Sequence, residues 1–134
     1  MPNIFWRAPQ TKPLIVAHRG GAALAPENTV AAFRAAAAAG ADAIETDVRR
    51  TRDGALVCLH DADLQRLCGD PRAVADLDLA TLQSLMPTVM TLEIALAASA
   101  PMGVLLDIKL TDRRWLSRII DDVVRAEAVE RTML

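Results

Sequence analysis

Short apolar runs alternate along the chain with longer segments whose apolar residues recur at helical spacing. Runs of this length, bounded by Gly, Pro and polar residues, are typical of buried strands. They predict strands at Leu14–Ala17, Ala43–Val48, Leu56–Leu59 and Gly103–Lys109, with the start of another at Thr132–Leu134.

The segments with helical spacing predict helices between these strands. One is rich in alanine, which has the highest helix propensity, and Pro26 marks its first turn and Gly40 its end. A longer amphipathic helix opens at Thr111, because apolar residues recur on one stripe after it. Shorter helices are predicted at Leu79–Leu85 and Thr91–Ala100.

Strands and helices therefore alternate along the chain. This order is typical of a parallel α/β architecture, in which a helix connects each strand to the next. Residues 62–75 interrupt the alternation and are predicted to be irregular. No linker or change in composition marks a second domain, so residues 1–134 are assigned to one domain, with residues 1–12 as an N-terminal extension.

Composition limits the classes of function. The chain has 134 residues, of which 52% are hydrophobic and 24% charged, as expected of a globular domain. Its net charge of −2 gives no support for a nucleic-acid partner, which would need a basic surface. No apolar run reaches the roughly 18–20 residues of a transmembrane segment, and the N-terminus lacks signal-peptide features. Cys58 and Cys68 are too few for a disulfide framework, so the expected location is the cytoplasm.

Two carboxylates lie on the second predicted strand. Glu45 and Asp47 are two positions apart, so their side chains share one face of the sheet. Neighbouring carboxylates in a covered sheet are costly to bury unless a cation compensates them. A hard divalent ion such as Mg²⁺ or Ca²⁺ fits, because both take oxygen ligands. The alternative is a solvated strand end in which the carboxylates pair with Arg49 or Arg50.

The same spacing recurs at the end of the Gly103–Lys109 strand. Asp107 and Lys109 again share one face, so Asp107 could complete a metal site and Lys109 could hold a phosphate oxygen. The alternative for these two residues is a simple local charge pair.

The two histidines of the chain, His18 and His60, both follow predicted strands. Histidine titrates near neutral pH, so such a pair can supply a general acid and a general base. Arg19 is suited to bidentate contact with a phosphate. The alternatives are hydrogen-bonded structural histidines and an exposed salt bridge of about 1 kcal/mol or less.

Other polar residues are assigned to positioning or to the surface. Asn28 is expected to cap the alanine-rich helix, and Glu27 to organise hydrogen bonds in the site. The short basic run of Arg49, Arg50 and Arg52 is interpreted as solvated surface.

Taken together, these clusters resemble the glycerophosphodiester phosphodiesterase family. The resemblance covers nearly all of residues 14–110, and the combination of motifs in this order is specific where each motif alone is not. The matching motifs are His18-Arg19-Gly20-Gly21, Pro26-Glu27-Asn28-Thr29, Glu45-Thr46-Asp47, Thr51-Arg52-Asp53-Gly54, His60-Asp61, Leu64-Gln65-Arg66, Thr91-Leu92-Glu93 and the strand that ends at Lys109.

The resemblance implies a TIM (β/α)₈ barrel with one divalent metal ion, Mg²⁺ or Ca²⁺. The implied reaction hydrolyses small glycerophosphodiesters to sn-glycerol 3-phosphate and an alcohol, within lipid and glycerol metabolism. By position, the general acid/base pair would be His18 and His60. The implied metal ligands are Glu45, Asp47 and Asp107, the phosphate contacts are Arg19 and Lys109, and the supporting residues are Glu27, Asn28 and Asp61.

Two features depart from the family pattern. The third metal-ligand position usually carries glutamate, whereas this chain has Asp107. The related sphingomyelinase-D-like phospholipases carry aspartate there, so a lysophospholipase D activity is an alternative. A barrel also needs roughly 200–250 residues, and the chain stops near the start of the fourth strand.

The length leads to further expectations. The chain is expected to be the N-terminal half of a barrel. Its open edges would be the first and third strands of that barrel, Leu14–Ala17 and Gly103–Lys109, through which it could self-associate. The remaining alternative is a truncated fragment that binds metal and phosphate without turnover.

Overall fold

The computed structural model describes residues 4–134. Residues 1–3 of the expected N-terminal extension lie outside the described part of the chain. Within the extension, helix α1 (Ile4–Arg7) forms a single turn. The indole Nε1 of Trp6 donates a hydrogen bond to the carbonyl oxygen of Arg131 at 3.0 Å, so this turn packs near the other end of the described residues.

Strands and helices alternate through the rest of the described chain. The strands are β1 (Val16–Ala17), β2 (Ala43–Arg50), β3 (Leu56–Cys58), β4 (Asp63–Leu64), β5 (Asp70–Ala73), β6 (Gly103–Ile108) and β7 (Thr132–Met133). The remaining helices are α2 (Val30–Ala38), α3 (Gln65–Cys68), α4 (Leu79–Leu85), α5 (Leu92–Ser99) and α6 (Arg113–Arg125).

The main sheet is parallel, in the order β1-β2-β6-β7. Helix α2 connects β1 to β2, α5 precedes β6, and α6 connects β6 to β7. Strand β3 pairs antiparallel with the last residues of β2, after a tight connection that contains Asp53 and Gly54. The alternation confirms the predicted parallel α/β class.

One core lies between the sheet and the helices that cover it. Phe33 of α2, Leu96 of α5 and Ile119 of α6 are fully buried against sheet residues such as Ile44 and Val104. Apolar burial of this kind is the main favourable contribution to folding, at roughly 25 cal/mol per Å². The core fixes the strands in register and leaves their carboxyl ends free to carry polar groups.

A second, smaller unit separates β2 from α5. Strands β4 and β5 pair antiparallel around the single turn of α3, and they pack on a satellite core that includes Val57, Leu64 and Leu82. The prediction of irregular structure at residues 62–75 was therefore wrong. Strands this short carry too little alternation to be separated from loop by pattern alone.

Two further expectations were wrong. The first strand is not buried, because β1 is an edge of the sheet and leaves Ile15 58% and Val16 38% exposed. Helix α2 begins at Val30 rather than at Pro26, because Asn28 takes a left-handed conformation with φ of +53° that interrupts helical geometry. Its predicted end is confirmed, since Gly40 follows the helix with φ of +89°.

One of the two predicted edges of the main sheet is confirmed and the other was wrong. Strand β1 lies at an edge, as expected of the first strand. The Gly103–Lys109 strand is not an edge, because β6 pairs with β7 through Val104 and Leu105, and among the described residues β7 is the other open edge. No helix in residues 4–134 combines the length and apolar character that crossing a membrane would require.

Candidate active site

Three carboxylates meet on two neighbouring parallel strands, beyond the carboxyl end of β1. Glu45 and Asp47 lie on β2, and the parallel register places Asp107 of β6 directly beside Asp47. One carboxylate oxygen from each residue lies within 4.8 Å of the others. We call Glu45, Asp47 and Asp107 the acidic cluster. Its all-oxygen donor set suits a hard divalent cation.

The acidic cluster combines burial with like charge. Asp47 is fully buried and Glu45 nearly so, whereas half of the Asp107 side chain is exposed. Desolvation, followed by the nearby charge of Asp47, raises the pKa of Glu45 above its ordinary value. The two residues therefore hold negative charge in a place that disfavours it, which a bound cation would correct.

Lys109 supplies part of the compensating charge. Its Nζ lies 2.8 Å from an oxygen of Asp107 and 3.6 Å from an oxygen of Asp47. The hydrogen bond to Asp107 raises the pKa of Lys109. One ammonium group against three carboxylates leaves a net charge of −2 when Glu45 is ionised. That residual charge is what a divalent cation would neutralise.

Asn28 orients the buried carboxylate of Asp47. Its side-chain amide donates to Asp47 at 3.1 Å, and its amide oxygen accepts from the hydroxyl of Thr46 at 2.7 Å. Asparagine tolerates the left-handed conformation found at Asn28 better than most residues. The expected capping role was wrong, because Thr29 accepts the backbone N–H of Ala32 and so caps α2.

The residues after β1 form a tight turn against the acidic cluster. Arg19 and Gly20 both have positive φ, of +50° and +70°, which turns the backbone N–H of Arg19 toward Glu45. That N–H donates to Glu45 Oε2 at 2.9 Å, and Nε2 of His18 lies 3.8 Å from the same oxygen. Backbone strain of this kind is concentrated at functional sites. His18 itself remains 73% exposed at its side chain, so it is accessible to a ligand.

Gly20 also allows helix α2 to approach this turn. A Cβ atom on Gly20 would overlap the ring of Phe33, because it would lie closer to the ring than real Cβ contacts come. The glycine therefore serves both the backbone conformation and the packing of Phe33 below the site.

The side chain of Arg19 is held by Glu27. Nη1 of Arg19 donates to the two carboxylate oxygens of Glu27 at 3.2 and 3.4 Å. The Nε of Arg19 is buried and makes no hydrogen bond to any described residue. An unpaired buried donor costs about 1–3 kcal/mol, so this guanidinium group favours an additional acceptor.

His60 begins a second polar group on the small unit between β2 and α5. Its Nδ1 lies 2.8 Å from Oδ1 of Asp61. Its carbonyl oxygen accepts two hydrogen bonds from the guanidinium of Arg49, at 2.6 and 2.9 Å. The prediction that Arg49 is solvated surface was therefore wrong. Arg50 lies over the ring of Trp115. Neither arginine pairs with the acidic cluster, so the alternative of such ion pairs was also wrong.

Arg66 connects the His60 group with Glu27. Its guanidinium donates to Asp61 and to Glu27, with shortest distances of 2.9 and 2.7 Å. These bonds hold the pKa of Asp61 down at about 2 and lower that of Glu27. Arg66 belongs to one of the motifs that match the family, but no functional role was predicted for it. Nothing in the local sequence indicates a partner 39 positions away.

The predicted site residues thus fall into two connected groups. One group lies on β2 and β6 and directly after β1, and consists of Glu45, Asp47, Asp107, Lys109 and His18. The other group belongs to the small unit and consists of His60 and Asp61. The second group is joined to the first through Arg66, Glu27 and Arg19. The cysteines take no part in these contacts: Cys68 is exposed, and burial raises the pKa of Cys58 to about 12.

Comparison with known proteins gives a consistent result. A family model described as the glycerophosphoryl diester phosphodiesterase family matches residues 18–125. A probable glycerophosphodiester phosphodiesterase 1 of Mycobacterium tuberculosis (strain ATCC 25618 / H37Rv) is 49% identical over 73 residues, which are 54% of this chain and 27% of that protein.

Solved structures extend the comparison to the fold. The glycerophosphodiester phosphodiesterase of Thermotoga maritima is 31% identical, with a TM-score of 0.78 over 87% of this chain and 52% of that one. An Oleispira antarctica phosphodiesterase, solved in complex with the product sn-glycerol-3-phosphate, is 29% identical, with a TM-score of 0.70 over 85% and 51% of the two chains. These likenesses confirm the predicted (β/α)₈-barrel class, of which this chain covers a part, and the chain spans about half the length of the solved relatives.

Proposed function

Because the chain belongs to the glycerophosphoryl diester phosphodiesterase family, we propose that its site hydrolyses glycerophosphodiesters to sn-glycerol 3-phosphate and an alcohol. The observation that carries this proposal is the convergence of the acidic cluster, Lys109 and His18 on adjacent parallel strands, at the carboxyl ends of β1 and β6. Active sites of (β/α)₈ barrels lie at that face of the sheet.

Glu45, Asp47 and Asp107 would hold one divalent cation, Mg²⁺ or Ca²⁺. The donor set fits, because all three ligands offer oxygen and their net charge with Lys109 is −2. Such an ion would polarise a phosphoryl oxygen and offset its negative charge. The hydrogen bonds from Asn28 to Asp47 and from the Arg19 backbone to Glu45 orient two of these carboxylates.

Arg19 and Lys109 would bind the phosphodiester. Both carry permanent positive charge beside the acidic cluster, and the unpaired Nε of Arg19 favours an anionic acceptor. Their placement orients the substrate phosphate, and orientation is a large part of phosphoryl-transfer catalysis.

His18 and His60 would move the protons. One histidine accepts a proton from the attacking hydroxyl, which belongs to water or to the glycerol moiety of the substrate. The other donates a proton to the oxygen of the leaving alcohol. Hydrogen bonding of His60 to Asp61, and the nearness of His18 to Glu45, position the two rings.

The direct test is release of sn-glycerol 3-phosphate from glycerophosphocholine by the purified chain, with Mg²⁺, with Ca²⁺ and with a chelator. We expect turnover that requires one of the two metals. His18→Ala and His60→Ala should each lower kcat by about 10²–10⁴-fold, the usual contribution of a general acid or base. Arg52→Met, which removes an exposed ion pair with Asp78, is the matched control and should leave kcat unchanged.

Three outcomes would contradict the proposal. Absence of turnover by a folded chain would reject hydrolysis, and saturable binding of metal and phosphate in that chain would support the alternative of a binding site without turnover. Unchanged kcat in both histidine variants would reject the acid/base assignment. Full activity in the presence of chelator would reject metal dependence.

A second candidate is a lysophospholipase D activity, favoured by apolar cavities beside the loop that carries Glu27. One cavity of about 310 Å³ is lined by residues such as Pro26, Val30 and Ile94. Another of about 240 Å³ includes Glu27, Leu67 and Met86. These surfaces could hold an acyl chain. Activity on lysophosphatidylcholine that exceeds activity on glycerophosphocholine would favour this candidate.

A further inference from the structure

Arg66 stands out because one exposed arginine holds two carboxylates that belong to different parts of the fold. It lies on α3, within the small unit, about half exposed. Its Nε and Nη2 donate to Asp61 at 2.9 and 3.2 Å, and its Nη1 and Nη2 donate to Glu27 at 3.1 and 2.7 Å. Glu27 belongs to the loop before α2, and helix α2 packs on the main sheet.

Each carboxylate held by Arg66 holds a second group. Asp61 contacts Nδ1 of His60, and Glu27 accepts from Nη1 of Arg19. Two carboxylates and two guanidinium groups balance in charge, so the set is neutral around His60. Loss of Arg66 would leave an uncompensated negative charge, and of the two guanidinium groups that contact Glu27 only that of Arg19 would remain.

We infer that Arg66 is a positioning residue of this site, which bridges Asp61 and Glu27 and thereby holds His60 and Arg19 in one arrangement. The inference rests on the proposed function for its kinetic consequences, but its structural consequence can be measured separately. The planar guanidinium with its fixed donors is required, because lysine offers a single ammonium group and cannot bind both carboxylates in this way.

The consequence for His60 is a fixed tautomer. The hydrogen bond from Arg66 lowers the pKa of the Asp61 carboxyl group to about 2. At neutral pH this carboxylate is therefore ionised and can only accept a hydrogen bond. Nδ1 of His60 therefore carries a proton, and proton exchange with a substrate falls to Nε2. Without Arg66, the Asp61 carboxylate loses its anchor, and both tautomers of His60 become populated.

The consequence for Arg19 concerns binding. With Arg66 present, Glu27 divides its negative charge between two guanidinium groups. With Arg66 absent, Glu27 attracts Arg19 more strongly and competes with the substrate phosphate for it. Loss of Arg66 should therefore lower kcat through His60 and raise KM through Arg19.

The test compares Arg66→Met and Arg66→Lys with the control Arg72→Met. Arg72 lies on the same small unit and pairs with Asp70 at 2.7 Å, so its loss removes a similar exposed ion pair away from the site. We expect both Arg66 variants to lower kcat/KM by about tenfold or more, with changes in kcat and in KM, as usual when a supporting hydrogen bond is lost. Arg72→Met should match the wild type.

A second measurement does not depend on activity. The ¹⁵N shifts of the imidazole, recorded at one fixed alkaline pH, report which nitrogen is protonated. The chain has two histidines, so a His18→Gln variant assigns the His60 signals. We expect the Nδ1–H tautomer in the wild type and in Arg72→Met, and a mixture in both Arg66 variants.

The outcomes separate the inference from the proposed function. If the wild type is inactive, the proposed function fails, and the ¹⁵N shifts still decide the inference. If the tautomer of His60 is unchanged in Arg66→Met, or if Arg66→Lys restores both kinetics and tautomer, the inference is overturned. If Arg66→Met does not fold, the folded Arg66→Lys variant provides the same comparison.

Discussion

Glu45 shows at the scale of one residue how the fold imposes chemistry on a side chain. Burial raises its pKa above the ordinary value of 4.5, and Asp47 adds to the shift. The folded chain therefore binds this proton more tightly than the unfolded chain does. Its contribution to stability is fully present below about pH 4.5 and is lost as pH rises through the raised pKa. A bound divalent cation would stabilise the ionised form instead.

The first prediction follows from this balance. In the absence of metal, Glu45→Gln should remove the contribution of Glu45 to the loss of stability as the pH rises above 4.5, because the amide does not ionise and still accepts from the Arg19 backbone. It should also reduce the rise in Tm on adding Mg²⁺ or Ca²⁺. Thermal unfolding between pH 4 and 8, with chelator and with metal, measures both effects.

The matched control is Glu93→Gln, because Glu93 is exposed on α5 and lies outside the acidic cluster. It should keep the wild-type pH profile and the metal-induced rise in Tm. An equal metal-induced rise in Glu45→Gln would show that Glu45 does not bind the ion.

A second prediction at this scale compares two glycines. Gly20→Ala and Gly40→Ala both place a Cβ at positive φ, which costs roughly 1–2 kcal/mol. At Gly20 the Cβ also meets the ring of Phe33, whereas nothing lies within 4 Å at Gly40. We expect Gly20→Ala to lose about 1–3 kcal/mol more in the free energy of unfolding than Gly40→Ala, measured by urea titration. Equal losses would mean that Phe33 moves aside without cost.

At the scale of elements, local signals predicted most of the fold. The apolar runs placed β2 and β6 because both are covered by helices, and Thr91 marked the start of α5. The exposure of β1 did not follow from its apolar run, since such a run does not reveal whether its strand lies at an edge. The start of α2 was missed because the conformation of Asn28 depends on Thr46 and Asp47, which are distant in sequence.

In the candidate site, too, some contacts could be predicted from local sequence and others could not. Glu45 and Asp47 could be paired from the period of a strand, and Asp107 from its strand-end position. The links through Arg49 and Arg66 depend on the packing of the small unit against the sheet, which no local spacing encodes.

The third prediction concerns the cap of α2. The Thr29 hydroxyl accepts from Ala32 at 3.2 Å and donates to the carbonyl of Pro26 at 2.6 Å. Thr29→Ala should lower the free energy of unfolding by about 1 kcal/mol, with an upper value of about 2, because it removes the N-cap. Thr29→Ser keeps the hydroxyl and is the matched control, and urea unfolding measures both. A loss in Thr29→Ser as large as in Thr29→Ala would assign the effect to the methyl group.

At the scale of the whole molecule, the described sheet has two unpaired edges with apolar residues beside them. At one edge Val16 of β1 and the preceding Ile15 are exposed, and at the other Met133 of β7 and the following Leu134 are exposed. Unpaired strand edges bordered by apolar side chains tend to associate. In closed barrels such edges pair with further strands.

The fourth prediction tests these edges. Sedimentation velocity of the purified chain should show a weight-average coefficient that rises with concentration, and Ile15→Lys should suppress the rise by placing charge beside β1. Ile94→Lys is the matched control, because Ile94 is 45% exposed on α5 and lies away from both edges. A wild type that stays monomeric at high concentration would reject the expectation, as would equal suppression by both variants.

The division of polar residues between the main sheet and the small unit has a dynamic consequence. Strand β2 is paired on both sides and lies in the core, whereas β4 and β5 form a two-stranded sheet with few residues. Amide hydrogens of β2 should therefore exchange at the slow, global-unfolding limit, and those of β5 through faster local opening. The acidic cluster would stay assembled while the segment that carries Arg66 opens and closes, so proton transfer at His60 could be interrupted without release of a bound cation.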